Sequence, residues 1–303
     1  MPVRFTAIPG MTGCAMLCVL ALACPQAVSA QSPELNIAPG AGSFVFVDRR
    51  GDAARKITVY TYLPKTVAAG AARIVFVMHG ASKNADGYRD TWIEHADKYR
   101  FMVIAPLFDR EQWGAGGYSY ASAVGRDGKI HDESQWSFSV IEHLFDAIKD
   151  ATGNQSATYF IYGHSEGGQF VHRLVLLLPD ARYARAVAAN SGWYTMPAFD
   201  GRFPYGLGGS PVTEATLKRS LGRDLVIMLG DRDTDPNHYQ LRRSPQAMAQ
   251  GAHRFERGQS YFKAARSRAE ELQAAFGWTL RVVPGAAHEN DKMSRPAAAV
   301  LME

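Results

Sequence analysis

A serine at the centre of a glycine-rich pentapeptide has the setting of a catalytic nucleophile. Residues 163–167 read Gly-His-Ser-Glu-Gly, so Ser165 has a glycine two positions away on each side. An apolar segment precedes the pentapeptide and a helical pattern follows it, which predicts a sharp turn from a strand into a helix. Side chains would collide in such a turn, hence the glycines, and the serine hydroxyl is exposed beside the positive end of the helix dipole. The motif predicts that Ser165 is a nucleophile.

The predicted nucleophile needs a base, and the position of one histidine fits that need. A serine hydroxyl is a poor nucleophile near neutral pH unless a neighbouring group takes up its proton. His288 follows the last predicted strand, 279–283, and lies in the glycine-containing loop 284–288. The chain order that accompanies this kind of serine turn is serine, acid, histidine. His288 is therefore the predicted base.

Three aspartates compete for the role of the acid that orients this histidine. Asp231, Asp233 and Asp235 all follow the predicted strand 225–229. A spacing of glycine, two residues and then the acid, counted from Gly230, favours Asp233, while the other two remain alternatives. The acid would hold the histidine in the correct tautomer and stabilise the imidazolium ion.

The alternating aspartates also invite comparison with a calcium-binding loop. Such a loop needs a glycine at its sixth position and a bidentate glutamate at its twelfth. Counted from Asp231, these positions hold Pro236 and Arg242. The sequence therefore predicts no metal site in this segment.

Two backbone N–H groups are expected to stabilise the oxyanion of a tetrahedral intermediate. One is the N–H of Glu166, which directly follows the nucleophile. The other should come from the loop after the predicted strand 74–78, where Ala81 is the first choice and Ser82 the second. Gly80 would let the backbone approach closely.

The Glu166 side chain is an unusual neighbour for such a site. It could meet a positively charged part of a substrate. The favoured interpretation is that it points to solvent or pairs with a nearby arginine such as Arg173.

Two long connections, 107–133 and 190–222, leave predicted strand ends on the side where α/β sheets place their sites. Both are rich in aromatic residues, which would form an apolar wall for an acyl or aryl group, unless they pack over the sheet edge instead. The residues predicted to bind substrate are Trp113, Tyr118, Trp193 and Tyr194.

Several of these segments resemble the α/β-hydrolase superfamily. Within it, the Ser165 pentapeptide, His79-Gly80-Ala81 with Asn84 and Tyr88, and Gly285-Ala-Ala-His288 are similar to bacterial secreted esterases described as polyhydroxybutyrate depolymerase-like or feruloyl esterase-like. The resemblance covers nearly all of residues 31–303. It implies an eight-stranded sheet, ester hydrolysis through an acyl-enzyme and no cofactor. The absence of cysteines after residue 30, and of a binding module, argues against a polymeric substrate.

The leading functional prediction is a serine hydrolase of small or medium carboxylic esters. A serine peptidase or amidase of the same fold is the first alternative, although no propeller or cap domain is visible. An inactive hydrolase fold retained for binding is a second alternative, against which the intact set of serine, aspartate and histidine argues.

The remaining sequence supplies elements that could position these residues. Segments 44–47 and 56–62 alternate apolar and polar residues, as half-exposed edge strands do. Continuous apolar runs predict parallel strands buried on both faces, at 74–78, 102–105, 159–162, 186–189 and 225–229. A last short run, 279–283, ends in Val282-Val283 and predicts a further strand of this kind. Helical periodicity separates them, most clearly at 140–148, 165–178 and 262–276. This alternation predicts an α/β fold with a mostly parallel sheet and helices on both faces.

Residues 1–30 have the features of an export signal. Arg4 is their only charged residue, an apolar stretch spans 14–23, and Val28-Ser29-Ala30 offers the small residues that signal peptidase accepts. All three cysteines lie in this segment. The sequence predicts a periplasmic or secreted protein with one catalytic domain, 31–303, and no stable membrane insertion. A non-cleaved anchor and a lipoprotein cysteine at Cys24 are the alternatives.

Composition adds little about partners. The 303 residues carry a net charge of +4, and no basic run or aromatic-basic stripe is present. Nothing therefore points to nucleic acid, and the expected partner is a small or possibly polymeric ester substrate.

Overall fold

A computed structural model describes residues 1–7, 35–52 and 54–303 of the chain. The apolar stretch, the cysteines and the cleavage site of the predicted export signal fall between residues 8 and 34, outside the described residues. Contacts group the described residues from Leu35 to Glu303 into one compact unit. No helix of the described part of the chain is both long and apolar enough to cross a membrane.

Eight strands form a single sheet in the order β1-β2-β4-β3-β5-β6-β7-β8. The β1–β2 and β2–β4 pairs are antiparallel, and the pairs from β4 to β8 are parallel. The mostly parallel eight-stranded sheet expected from the sequence is confirmed. The strands are β1 (Gly40–Val47), β2 (Lys56–Leu63), β3 (Arg73–Met78), β4 (Phe101–Pro106), β5 (Tyr159–His164), β6 (Tyr183–Ala189), β7 (Leu225–Gly230) and β8 (Thr279–Val283).

Helices cover both faces of this sheet, as predicted. Alternate residues of a strand point to opposite faces, and in β3 Phe76 packs on one face while Val77 packs on the other. The first face carries α4, α5, α6 and α8, and the second carries α1, α2 and α9. The helices are α1 (Ala85–Thr91), α2 (Ile93–Tyr99), α3 (Arg110–Gly117), α4 (Ser137–Thr152), α5 (Glu166–Leu177), α6 (Glu214–Leu221), α7 (Pro245–Met248), α8 (Arg254–Glu271) and α9 (Asn290–Met302).

Two predicted elements differ from the structure. β8 is not buried on both faces, because it is the last strand of the sheet, and Val282 is 46% exposed. The helix expected at 262–276 is α8, which begins eight residues earlier, where the His253 side chain accepts the Glu256 N–H. It ends at Glu271, before Gln273 takes a φ of 51°.

Candidate active site

Ser165 lies in the sharp turn between β5 and α5. Its φ of 58° and ψ of −115° fall in a sparsely populated backbone region, and strain of this kind often marks functional sites. A Cβ at Gly163 would collide with the Gly167 carbonyl, and a Cβ at Gly167 would collide with the Met78 carbonyl. The two glycines therefore allow the turn to pack against β3 while the serine side chain stands at its peak.

The structure brings Ser165, His288 and Asp233 into one chain of hydrogen bonds. Nε2 of His288 lies 2.9 Å from Oγ of Ser165, and Nδ1 lies 2.7 Å from Oδ2 of Asp233. The Asp233 side chain is 3% exposed and that of His288 is 10% exposed. This arrangement can move a proton from the serine to an imidazole that the carboxylate holds in place.

The two competing aspartates make different contacts. Asp231 accepts the N–H of Gly285 through Oδ1 at 2.7 Å, so it supports the loop that carries His288. Asp235 accepts the N–H of Asn237 at 2.7 Å within its own turn. Among the three, Asp233 is the aspartate that bonds to His288.

Arg254 is a site residue that the sequence analysis missed. Its Nη1 lies 3.4 Å from Oδ1 of Asp233, the oxygen that His288 does not use, and its Nη2 lies 3.2 Å from Nδ1 of His238. The side chain is 2% exposed, and although burial lowers the pKa of the guanidinium, the charge of Asp233 opposes that shift. Arg254 is the first residue of α8, in a segment where no helix was predicted.

The loop after β3 borders the same cavity. Ala81 and Glu166 line one cavity with Ser165, and the Ala81 N–H makes no hydrogen bond to another described residue. Buried His79 holds this loop, because its Nδ1 contacts the Gly80 carbonyl at 2.9 Å and its Nε2 accepts the Phe108 N–H at 3.1 Å. Burial lowers the pKa of His79 to about 3, so the ring is neutral.

The Glu166 side chain pairs with Lys83, not with Arg173. The Lys83 ammonium lies 2.9 Å from Oε2 of Glu166. Arg173 is fully buried and donates instead to Oγ1 of Thr195 at 2.8 Å and to the Ser119 carbonyl at 3.1 Å. The expectation of an Arg173 partner is wrong because that guanidinium points into the protein interior.

The cavity beside Ser165 has a volume of about 250 Å³ and is more cationic than expected. Arg110, Arg242 and Arg254 line it, whereas Glu166 is the acidic residue in its wall. Trp193 lines the cavity as predicted, but it is 3% exposed, and the guanidinium groups of Arg173 and Arg242 lie 4.3 and 5.1 Å from its ring centre. Of these two cations, Arg242 also lines the cavity, so the wall at Trp193 includes a guanidinium and is not purely apolar.

Two of the other aromatic residues expected in the wall are packed in the core. Tyr194 is fully buried, with its ring stacked on Tyr261 at a centroid distance of 4.4 Å. Trp113 is 6% exposed and contacts Phe108 edge to face at 4.8 Å. Both predictions are wrong because these side chains turn inward from their loops.

Tyr118 is also a core residue, but it supports the site from behind. It is 1% exposed, its ring stacks on His79 at 4.5 Å, and its hydroxyl donates to the His79 carbonyl at 2.9 Å. Tyr120, two residues further on, was not selected in the sequence analysis. It lines the cavity, and its ring contacts Trp193 edge to face with a centroid distance of 5.7 Å. In this loop, Tyr120 and not Tyr118 lines the cavity.

The described residues were also compared with the side-chain groupings that hold metal ions. Within residues 1–7, 35–52 and 54–303, no three or more His, Cys, Asp or Glu side chains are grouped so that they could hold a metal ion.

The strand order, the strained serine turn and its hydrogen-bonded histidine define an α/β-hydrolase. A scan against protein-family models and a search of curated proteins gave no match. Solved structures did match. Poly(aspartic acid) hydrolase-1 from Sphingomonas sp. KT-1 is 46% identical, with a TM-score of 0.85, over 88% of this chain and 100% of that one. A poly(3-hydroxybutyrate) depolymerase from Bordetella parapertussis is 34% identical, with a TM-score of 0.82, over 87% of this chain and 90% of that one.

A more distant match shares the fold alone. An S-formylglutathione hydrolase from Staphylococcus aureus is 15% identical, with a TM-score of 0.55, over 88% of this chain. The chain belongs to the α/β-hydrolase family of the Sphingomonas and Bordetella enzymes, and it is a serine hydrolase of the carboxylic ester hydrolase class.

Proposed function

We propose that Ser165, His288 and Asp233 form the catalytic triad of this ester hydrolase. The observation that carries the proposal is the unbroken chain of hydrogen bonds from the serine hydroxyl to the buried carboxylate. His288 takes the proton of Ser165 as its Oγ attacks the ester carbonyl, and then gives that proton to the leaving alcohol. Water, activated by the same histidine, hydrolyses the acyl-enzyme. Asp233 holds the imidazole throughout, and Arg254 contacts the carboxylate oxygen that His288 does not use.

The oxyanion that forms during attack would lie between the two backbone N–H groups of Ala81 and Glu166. Both residues line the cavity at Ser165, and the N–H of Glu166 is at the start of α5, where the helix dipole favours negative charge. Fixed donors of this kind stabilise the transition state because they need no reorganisation as charge develops.

A fluorophosphonate probe tests the nucleophile. The wild-type protein should be labelled and Ser165→Ala should not, while kcat for a p-nitrophenyl ester should fall by several orders of magnitude. Ser267→Ala, an exposed serine of α8, is the matched control and should behave as wild type. Labelling that survives in Ser165→Ala would disprove the assignment.

We further propose that the preferred substrate carries carboxylates. Arg110, Arg242 and Arg254 line the cavity. Arg254 is paired with Asp233 and the acidic residue Glu166 with Lys83, so Arg110 and Arg242 are the cations of this lining that a substrate could meet. Guanidinium groups bind carboxylates in a directed, bidentate manner. The Sphingomonas relative is named for poly(aspartic acid), a polymer with a carboxylate on each residue. Both relatives are named for polymers, which supports a polymeric substrate for this chain, contrary to the argument from its cysteines.

The charge preference can be measured with p-nitrophenyl esters of matched length. kcat/KM should be higher for the hemisuccinate than for the neutral butyrate at low salt. Arg242→Gln should reduce that advantage about tenfold, because the carboxylate loses a charged hydrogen-bond donor. The effect is no larger because Arg242 is exposed and partly screened by solvent. The same ratio of kcat/KM for the hemisuccinate to that for the butyrate in wild type and variant would refute the role of Arg242. Poly(aspartic acid) belongs in the panel, since faster cleavage of its amide bonds than of esters would favour the amidase alternative.

We also propose that the protein is exported and loses residues 1–30. The proposal rests on the apolar stretch and on the small residues before Gln31. N-terminal sequencing of protein from the periplasm or the medium should begin at Gln31. A first residue at Cys24 would indicate a lipoprotein instead.

A further inference from the structure

An ion pair joins the two chain segments that supply the proposed oxyanion donors. Lys83 lies two residues after Ala81, and Glu166 itself supplies the second N–H. The Lys83 ammonium is 2.9 Å from Oε2 of Glu166, with the two side chains 13% and 21% exposed. The backbone of Gly167 also packs against the carbonyls of Met78 and His79, and the ion pair adds a side-chain contact that joins the loop after β3 to the first residue of α5.

The lysine end of the pair is held firmly. Lys83 has a φ of 57°, and its N–H donates to the Gly80 carbonyl at 3.2 Å, so it closes a tight turn around Ala81. Its ammonium also lies 4.2 Å from the centre of the buried Tyr118 ring, where a cation–π contact adds to the ion pair. A movement of Lys83 would therefore move the turn that carries the Ala81 N–H.

The glutamate end is fixed as well. Oε1 of Glu166 accepts a hydrogen bond from Ser119 at 3.4 Å, so both carboxylate oxygens have partners. The pair is largely shielded from water, and salt screens such a pair much less than an exposed one. It can therefore hold a geometry, which most surface ion pairs do not.

We infer that the Lys83–Glu166 ion pair is a clamp that sets the spacing of the two oxyanion donors. Lys83 and the Glu166 side chain are then positioning residues for the ester hydrolysis. The inference rests on the proposed triad, because it requires an oxyanion beside Ser165. Catalysis by such donors depends on their being fixed before charge develops. A loosened clamp should therefore slow the chemical step and leave ground-state binding of a neutral ester unchanged.

A second role for the pair gives a different result and can be separated. If Lys83 served only to neutralise Glu166 within the cationic cavity, its loss would weaken the binding of anionic esters through KM. Neutral esters would then react at the wild-type rate. The contrast between kcat for a neutral ester and KM for an anionic ester distinguishes the clamp from a charge effect.

The test compares four variants on p-nitrophenyl butyrate and on the hemisuccinate. Lys83→Met keeps the aliphatic stem, and Glu166→Gln keeps the shape and the backbone N–H. Each should lower kcat for the neutral ester about tenfold, less than the hundredfold or more that follows loss of a whole donor, with KM within about twofold. The double variant should be no slower than either single one, because both remove the same contact. Lys83→Arg should restore most of kcat.

The control is an ion pair of the same type elsewhere. Lys218 and Glu214 pair on the surface of α6, and Lys218→Met should leave kcat unchanged. Melting temperatures separate a loss of fold from a loss of rate. If Lys83→Met unfolds, the two single variants Glu166→Gln and Lys83→Arg still decide the question.

Two results would overturn the clamp. One is a wild-type kcat for the neutral ester in Lys83→Met and Glu166→Gln, and the other is an effect confined to KM of the hemisuccinate. If Ser165→Ala abolishes labelling while these variants keep full kcat, only the clamp is wrong. If Ser165→Ala remains active, the proposed triad is wrong and the clamp with it.

Discussion

Acid should destabilise this protein steeply because three histidines are buried as neutral rings. His79, His164 and His172 are almost completely buried. His172 contacts the Gly168 carbonyl through Nδ1 at 2.9 Å and accepts the Thr195 N–H through Nε2 at 3.1 Å. Its second nitrogen therefore has no place for another proton, and His79 is bonded in the same way. Burial lowers the pKa of His79 to about 3 and those of the other two well below 6.5.

The sign and size of the effect follow from proton binding. Unfolded histidines bind protons near pH 6.5 and the folded ones do not, so acid favours the unfolded chain. The contribution of the neutral histidines to the free energy of unfolding is complete above pH 6.5. It is lost as the pH falls from there towards their lowered pKa values in the folded protein. Between pH 7 and pH 5, His79, with its pKa lowered to about 3, should cost about 2 kcal/mol of stability. His164 and His172 act in the same direction. A typical domain has only about 5–15 kcal/mol of stability.

Urea denaturation at several pH values, followed by tryptophan fluorescence, measures this loss. Between pH 5.5 and pH 4.5, His172→Gln should reduce the slope of the unfolding free energy against pH, by at most the roughly 1.4 kcal/mol per pH unit that corresponds to one proton. Glutamine does not titrate, yet it can still accept the Thr195 N–H. His131→Gln, at an exposed position, is the control and should leave the slope unchanged. An identical slope in wild type and His172→Gln would refute the reasoning.

Two further predictions concern the site. Asp233→Asn should lower kcat by roughly 10⁴-fold, because an amide would favour the wrong tautomer of the histidine, whereas Asp235→Asn should cost far less. Steady-state kinetics measure both values of kcat, and the reverse ranking would move the role of the acid to Asp235. Trp193→Leu should raise KM for the hemisuccinate about tenfold more than KM for the butyrate, because Arg242 loses the ring over which it lies. An equal rise in both KM values would show that Trp193 contacts substrate only as an apolar surface.

Local patterns were sufficient to predict the fold and the order of the candidate triad residues. Strand periodicity and the glycines around Ser165 depend on neighbours in sequence, and the turn that positions the serine is itself local. The exposure of β8 was not predictable in this way, because it depends on which strand lies at the edge of the sheet.

Contacts between distant segments could not be read from the sequence. Lys83 meets Glu166 across 83 positions, and Arg254 reaches Asp233 from a helix whose start had no clear periodic signal. Tyr118 and Tyr120 lie two residues apart in an irregular loop, where no period tells which ring faces the core. Trp113, Tyr118 and Tyr194 were therefore expected to face a substrate, whereas their side chains are buried in the core.

The separation of the site residues along the chain has a consequence for how activity arises during folding. Ser165 and His288 are 123 positions apart, and His288 and Asp233 are 55 positions apart. Contacts between such distant residues form only after the entropy of closing long loops has been overcome, which makes them late and slow to form. No single supersecondary unit holds both the proposed nucleophile, Ser165, and its proposed base, His288. A partly folded chain can therefore carry a complete serine turn and still be inert, so esterase activity reports the folding of the whole sheet from β3 to β8.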